Sequence, residues 1–129
     1  MRYLFVILLC LLLLCGCAQQ TSLRQSEENI VKVELIDRRD SSAPNPLATL
    51  SGEQVECFIE DLSKIKCFKR AQPQEKTNNL EIRIYYSTGE MDFLGSGTNG
   101  YLANGKFETS GWYYYHENEL ATLFDSYSD

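Results

Sequence analysis

Residues 80–86 read Leu-Glu-Ile-Arg-Ile-Tyr-Tyr and show the clearest strand pattern in the chain. Apolar side chains alternate here with Glu81, Arg83 and Tyr85. A period of two residues is typical of a strand with one face on a core and the other in water. The segment therefore predicts a half-buried strand from which the rest of the fold can be worked out.

The same alternation occurs upstream of this strand. Residues 30–37 predict a strand with Val31, Val33 and Leu35 on its inner face. Residues 65–70 predict a short strand, and its basic side chains are typical of a sheet edge. Residues 38–50 contain two prolines and are expected to form a loop.

Downstream, short alternating segments are joined by turn signals. Met91 and Phe93 are expected to face the core and Asp92 to face water. Asn104-Gly105 is a strong hairpin signal between two short strands. Residues 112–115 predict a further short strand.

Two segments instead show the helical period of 3.6 residues. One runs from Ser51 to about Ile65, and the other follows His116. Their apolar positions are Val55, Phe58, Ile59, Leu62 and Ile65 in the first helix, and Leu120, Leu123, Phe124 and Tyr127 in the second.

The order strand, helix, several strands, helix predicts one α+β domain over residues 30–129. Short connections favour antiparallel neighbours, so we expect a twisted antiparallel sheet of about five or six strands with both helices on one face. The other face would be open to water. Its expected residues are Lys32, Glu34, Glu81, Arg83 and Asp92.

The N-terminal residues carry an export signal. Arg2 precedes an apolar run over residues 4–14, which is shorter than the ~20 residues that span a bilayer but matches a signal-peptide core. Leu14-Cys15-Gly16-Cys17 follows, with a Leu three residues before a possible cut, a small residue just before it and a Cys just after. This ending resembles the lipobox of bacterial lipoproteins.

The resemblance implies that residues 1–16 are a lipoprotein signal peptide and that Cys17 carries a diacylglyceryl group with fatty acids such as palmitate. Residues 17–29 would then be the lipidated cysteine and a flexible tether, because they are polar. The protein would face outside the cytoplasm, on the bacterial cell membrane or the outer membrane. The alternatives are an ordinary secretory peptide or a short retained anchor. Cys15 is a poorer lipidation site, because Leu14 would precede the cut.

Charge and cysteine content narrow the function classes. The formal net charge of −6 argues against nucleic acid as a partner and against electrostatic binding to anionic lipid.

Cys57 and Cys67 follow the lipobox, and an exported compartment permits a disulfide between them. Helical geometry turns Cys57 away from the buried face, so the pairing stays open. The cysteine spacing gives no zinc motif.

No sequence motif predicts catalysis or a cofactor. Residues 95–100 match G-x-G-x-x-G, but a hairpin rather than a helix is expected to follow them. His116 is the only histidine, and it lies at a predicted helix start. Glu81, Glu90 and Asp92 alternate with apolar residues, which is typical of a solvated strand face. The chain is therefore expected not to be an enzyme and to hold no metal.

Clustered aromatic residues give the most specific functional hypothesis. Trp112, Tyr113, Tyr114 and Tyr115 are consecutive, and Tyr85 lies on the expected open face. Exposed aromatics bind sugars or anchor protein contacts, whereas packed ones only fill a core. We expect a non-catalytic binding or accessory module acting on an envelope protein. The alternatives are a glycan- or cell-wall-binding module and a small carboxylate-based hydrolase.

Overall fold

The computed structural model describes residues 23–70, 80–95 and 99–128. The predicted signal peptide, residues 1–16, and the predicted lipidation site, Cys17, lie outside the described residues. Residues 96–98 of the glycine-rich match also lie outside them.

The described chain contains seven strands and two α-helices, preceded by a short 3₁₀ turn at Glu27–Asn29. The elements are β1 (Ile30–Asp37), β2 (Ala48–Leu50), α1 (Glu53–Ser63), β3 (Cys67–Arg70), β4 (Leu80–Tyr86), β5 (Met91–Gly95), β6 (Asn99–Ala103), β7 (Lys106–Tyr115) and α2 (Glu117–Tyr127). The predicted α+β class and single-domain organisation are confirmed.

All seven strands form one antiparallel sheet in the order β2-β1-β4-β5-β6-β7-β3. The predicted edge position of β3 is confirmed. β7 changes partner along its length, because its first part pairs with β6 and residues 112–115 pair with β3.

β2 corrects the loop predicted over residues 38–50. The Leu47 N–H donates to the Leu35 carbonyl at 2.8 Å, and Leu50 then lies opposite Val33 in the ladder. Leu50 is buried, so its side chain anchors this edge strand to the core. Three residues are too few to show an alternating pattern in sequence.

Both helices cover one face of the sheet, as predicted. The two predicted apolar sets enter one core together with strand residues such as Val33, Ile82 and Leu94. The helices also touch each other. The rings of Phe58 and Tyr127 meet edge to face at 5.2 Å, and the Tyr127 hydroxyl donates to Asp61 at 2.7 Å.

The predicted sides of Met91, Phe93 and Asp92 are wrong. Ile84 pairs with Asp92 across the β4–β5 hairpin, and directly opposed residues share a face of the sheet. Asp92 is therefore buried on the core side at 1% exposure, whereas Met91 and Phe93 face away from the helices. A shift of one residue in register moves every side chain of a strand to the other face.

Val31 also departs from the predicted alternation. A bulge in the β1–β4 ladder lies between Ile30 and Lys32, and Val31 is 52% exposed. One extra residue on the bulged strand breaks the two-residue period at that point.

Ile82→Ala is expected to lower the free energy of unfolding by ~2–5 kcal/mol, because Ile82 is fully buried and its removal leaves a cavity. Val31→Ala is the matched control and should change it by about 0.5 kcal/mol or less. Urea unfolding followed by circular dichroism measures both. Equal losses would contradict the assignment of Ile82 to the core and Val31 to the surface.

Candidate functional site

The structure divides the predicted aromatic cluster. Trp112, Tyr113 and Tyr114 lie in β7 opposite β3, and their side chains lie outside the described part of the structure. Tyr115 is buried at 8% exposure and belongs to the core. Tyr85 is half-buried on the sheet face opposite the helices, which we call the outer face. Of the predicted contact residues with described side chains, only Tyr85 lies on that face.

Charged side chains on the outer face of β1 and β4 pair with one another. Lys32 Nζ lies 3.0 Å from Glu34 Oε1, and the Tyr85 hydroxyl donates to the other oxygen of Glu34 at 2.5 Å. Farther along the strands, Arg83 and Arg38 both bind Glu81, at 2.8 and 2.9 Å. We call these residues the charged ladder: Lys32, Glu34, Arg38, Glu81, Arg83 and Tyr85.

Pairing in the charged ladder changes the pKa values of its acids. Burial acts to raise the pKa of Glu34, but hydrogen bonds from Tyr85 and Lys32 outweigh it and leave that pKa lowered. The pKa of Glu81 is lowered in the same way, by Arg83 and Arg38 against the effect of burial. Burial and the nearby Glu34 raise the pKa of Tyr85. Each charged side chain of the ladder therefore has an oppositely charged partner within the ladder.

An apolar strip lies beside the charged ladder on the same face. Its members are Met91 and Phe93 of β5, Leu102 of β6 and Phe107 of β7. The rings of Phe93 and Phe107 meet edge to face, with centroids 5.4 Å apart. Phe107 is 58% exposed, so the strip presents an aromatic surface to solvent. The Arg83 guanidinium lies 5.4 Å from the Phe93 ring and connects the strip to the ladder.

Gly100 makes the aromatic pair possible. It lies on β6 between the two phenylalanines, directly opposite Phe93. A Cβ atom at this position would lie 2.2 Å from Phe107 Cζ, so any other residue would displace the ring. Glycine at this point lets Phe107 reach across β6 to Phe93.

Sequence reasoning missed the exposed aromatic pair. Asn104-Gly105 correctly predicted a hairpin, and its tight turn sets Ala103 opposite Lys106 and Leu102 opposite Phe107. Carried through β6 to β5, that register would have brought Phe107 close to Phe93. The hairpin register thus contained the information needed to predict the aromatic pair. The pair was missed because Phe93 was assigned to the core face.

Asp92 forms a second polar site, on the inner face. Its Oδ2 accepts hydrogen bonds from the Tyr86 hydroxyl at 2.5 Å and from the Arg24 backbone N–H at 3.0 Å. Its Oδ1 is buried and has no hydrogen-bond partner among the described residues. Burial raises the pKa of Asp92, an effect that the nearby Glu90 charge increases and the two hydrogen bonds only partly offset. Burial and Asp92 also raise the pKa of Tyr86.

Residues 23–29 are docked on this site, which corrects the predicted flexible tether over that part of residues 17–29. Besides the bond from Arg24 to Asp92, Gln25 donates to Thr88 at 2.8 Å and to Glu90. The Ser87 N–H donates to the Asn29 carbonyl at 2.8 Å. Polar composition suggested a tether, but the polar groups are used in contacts with the β4–β5 turn.

Among the carboxylates considered for hydrolase chemistry, Glu81 lies apart from Glu90 and Asp92. Glu81 lies on the outer face in the charged ladder, whereas Asp92 is buried on the inner face. Glu90 follows the β4–β5 turn and accepts from Gln25.

Other predicted features have these outcomes. No disulfide joins Cys57 and Cys67; Cys57 is exposed on α1 and Cys67 is half-buried in β3. The described residues contain no group of three or more metal-binding side chains. None of the described helices combines the length and apolar character needed to cross a bilayer.

Comparisons with protein-family models, with curated proteins and with solved structures found no match to this chain.

Asp92→Asn is expected to change how stability depends on pH. The pKa of Asp92 is raised above its ordinary value of 3.8, so the folded protein holds this proton more tightly than the unfolded chain. The resulting stability is fully present below the unfolded pKa and is lost as pH rises through the folded pKa. The free energy of unfolding of the wild type minus that of the variant should therefore fall with rising pH, by at most ~1.4 kcal/mol per pH unit.

Urea titrations at several pH values measure this difference. Acids whose pKa is lowered, such as Glu34 and Glu81, contribute less to the free energy of unfolding as pH falls. Because both proteins contain these acids, their contributions cancel in the difference. Asp125→Asn, on the exposed surface of α2, is the control. If the difference between wild type and Asp92→Asn stays constant with pH, the raised pKa of Asp92 is contradicted.

Proposed function

We propose that this protein is a lipid-anchored, extracytoplasmic lipoprotein and a non-catalytic binding module. It binds a protein partner of the cell envelope through the outer face of its sheet. The observation that carries the binding proposal is the Phe93–Phe107 pair, in which Phe107 is exposed and lies over Gly100 beside the charged ladder.

The arrangement of the outer face matches the anatomy of a protein interface. Interfaces combine an apolar, often aromatic centre with a polar rim, and few residues provide most of the binding energy. Here the apolar strip is the centre and the charged ladder lies along one side of it. Phe107 already contacts Phe93, so a partner would find an aromatic surface that is partly ordered in advance.

The described residues favour a protein partner over a glycan. Sugars pack against an open aromatic face and form hydrogen bonds to free polar groups. The two phenylalanine rings stand at 68° to each other, and the charged groups beside them are already paired in the charged ladder. A glycan has few groups to bind here, whereas an apolar protein side chain can fit against both rings.

The anchor rests on the lipobox-like ending Leu14-Cys15-Gly16-Cys17. Two or more acyl chains hold a protein stably on a membrane, whereas one holds it only marginally. Because residues 23–29 dock on the domain, only residues 18–22 separate Cys17 from it. Five extended residues span at most about 18 Å. The domain would therefore lie close to the membrane surface.

Cys17→Ser is expected to abolish both fatty-acid labelling and membrane association, because the thiol that receives the lipid is lost. Cys15→Ser is the matched control and should retain both. The measurements are in-cell labelling with an alkyne analogue of palmitate and separation of membrane and soluble fractions. Labelling that survives Cys17→Ser, or is lost in Cys15→Ser, would refute the assignment of Cys17.

Phe107→Asp is expected to abolish crosslinking to an envelope protein from a photoreactive residue placed at position 102 of the tethered chain. A central aromatic at an interface contributes ~2 kcal/mol or more, or about thirtyfold in affinity. Gly100→Ala keeps both phenylalanines but displaces the Phe107 ring, so it should weaken the same crosslink. Mass spectrometry identifies the crosslinked species.

Phe68→Asp is the control for this experiment. Phe68 is also an exposed phenylalanine, at 44% exposure, but it contacts His116 at the edge strand β3. It lies opposite Tyr114, at the end of β7 away from Phe107. It should leave the crosslink intact. The proposal fails if no protein crosslinks, if the attached species is a glycan, or if Phe68→Asp and Phe107→Asp reduce the yield equally.

A further inference from the structure

A groove lies between residues 23–28 and α1, on the side of the molecule away from the outer face. Its apolar end has a volume of about 380 Å³ and is lined mainly by Leu23, Ile59, Leu62, Ile65 and Tyr115. Its other end has a volume of about 570 Å³. Glu27, Ile59 and Ser63 line both ends, so the two cavities adjoin each other.

The second end of the groove combines an apolar floor with acidic walls. Ile30 and Val55 lie in the floor. The walls carry four exposed glutamates: Glu27 and Glu28 from the 3₁₀ turn, and Glu56 and Glu60 from α1. No lysine or arginine lines either end among the described residues.

The glutamates of the groove differ from those of the charged ladder. Glu34 and Glu81 each bind a cation, whereas these four form no ion pair with a described residue. Glu56 and Glu60 are four residues apart on α1, a spacing at which like charges repel on a helix surface. A positively charged ligand would relieve that repulsion while an apolar part of it filled the other end.

We propose that this groove binds a basic amphipathic peptide segment. Its leucine-like side chains would enter the apolar end, and its lysine or arginine side chains would pair with the four glutamates. A cavity of this size accepts a few side chains. The acidic walls repel the anionic headgroups of bacterial membranes, so a lipid is a poor occupant. The site is separate from the outer face and does not depend on the function proposed for that face.

The test uses the full acylated chain in phosphatidylcholine nanodiscs and a fluorescein-labelled peptide, Leu-Lys-Leu-Leu-Lys-Lys-Leu. Fluorescence anisotropy measures binding, with empty nanodiscs subtracted. Two comparison peptides separate the contributions of charge and of apolar contact to binding. One has every lysine replaced by glutamine, and the other has every leucine replaced by serine. Both should bind at least fivefold more weakly than the parent peptide. Added salt should weaken binding of the parent peptide.

The double variant Glu56→Gln/Glu60→Gln is expected to weaken binding about fivefold or more, since two charge pairs with the peptide are lost. Glu53→Gln/Glu119→Gln removes the same charge from exposed helical positions outside the groove, one on α1 and one on α2, and should stay within twofold of wild type. Ser63→Trp places a large side chain where the two ends meet and should also weaken binding. Phe107→Asp should leave it unchanged, which separates this site from the outer face.

Three results would overturn the proposal. They are the absence of binding by the wild-type protein, equal losses in the two glutamine variants, and equal binding of the serine-substituted peptide. Circular dichroism of each variant shows whether it is folded. The substituted glutamates are exposed, so the fold should be the same in the variants that are compared.

Discussion

The register of β4 with its two neighbours is the constraint on which the rest of the structure depends. β4 places Leu80, Ile82, Ile84 and Tyr86 inside, and each residue opposite them in β1 or β5 must share that side. Val33 and Leu35 thereby enter the core under the helices. The same rule places Phe93 outside and Asp92 inside, although their hydrophobicity would suggest the reverse. The aromatic outer face and the buried Asp92 site both follow from this pairing.

Burial of Asp92 has a consequence at the N-terminal end of the domain. A carboxylate inside the core needs donors, and the available ones are the Tyr86 hydroxyl and the Arg24 backbone N–H. Residues 23–29 are therefore held against the β4–β5 hairpin, and Leu23 reaches the apolar end of the groove. A polar residue in the core thus builds one wall of a binding groove from a segment whose composition resembles a linker.

Elements with a long regular pattern were predictable from sequence, and short or register-dependent ones were not. β1, β4 and both helices repeat their period over at least seven residues, so their faces were assigned correctly apart from Val31 at the bulge. β2 has three residues and depends on its contact with Val33. In Met-Asp-Phe-Leu-Gly, apolar residues occur at both odd and even positions, so only the hairpin register decides which face is buried. The aromatic pair at Phe93 and Phe107 depends on that same register.

The outer face and the groove differ in whether their charged side chains are paired, and this difference supports separate roles. On the outer face every charged side chain of the ladder has a partner within the ladder, so a ligand meets a locally satisfied surface and gains mainly from apolar contact. In the groove Glu56 and Glu60 repel each other on the surface of α1, and a bound positive charge would relieve that repulsion. The antiparallel sheet separates the two surfaces, and no described residue belongs to both. Each surface can therefore be changed by substitution without altering a side chain of the other.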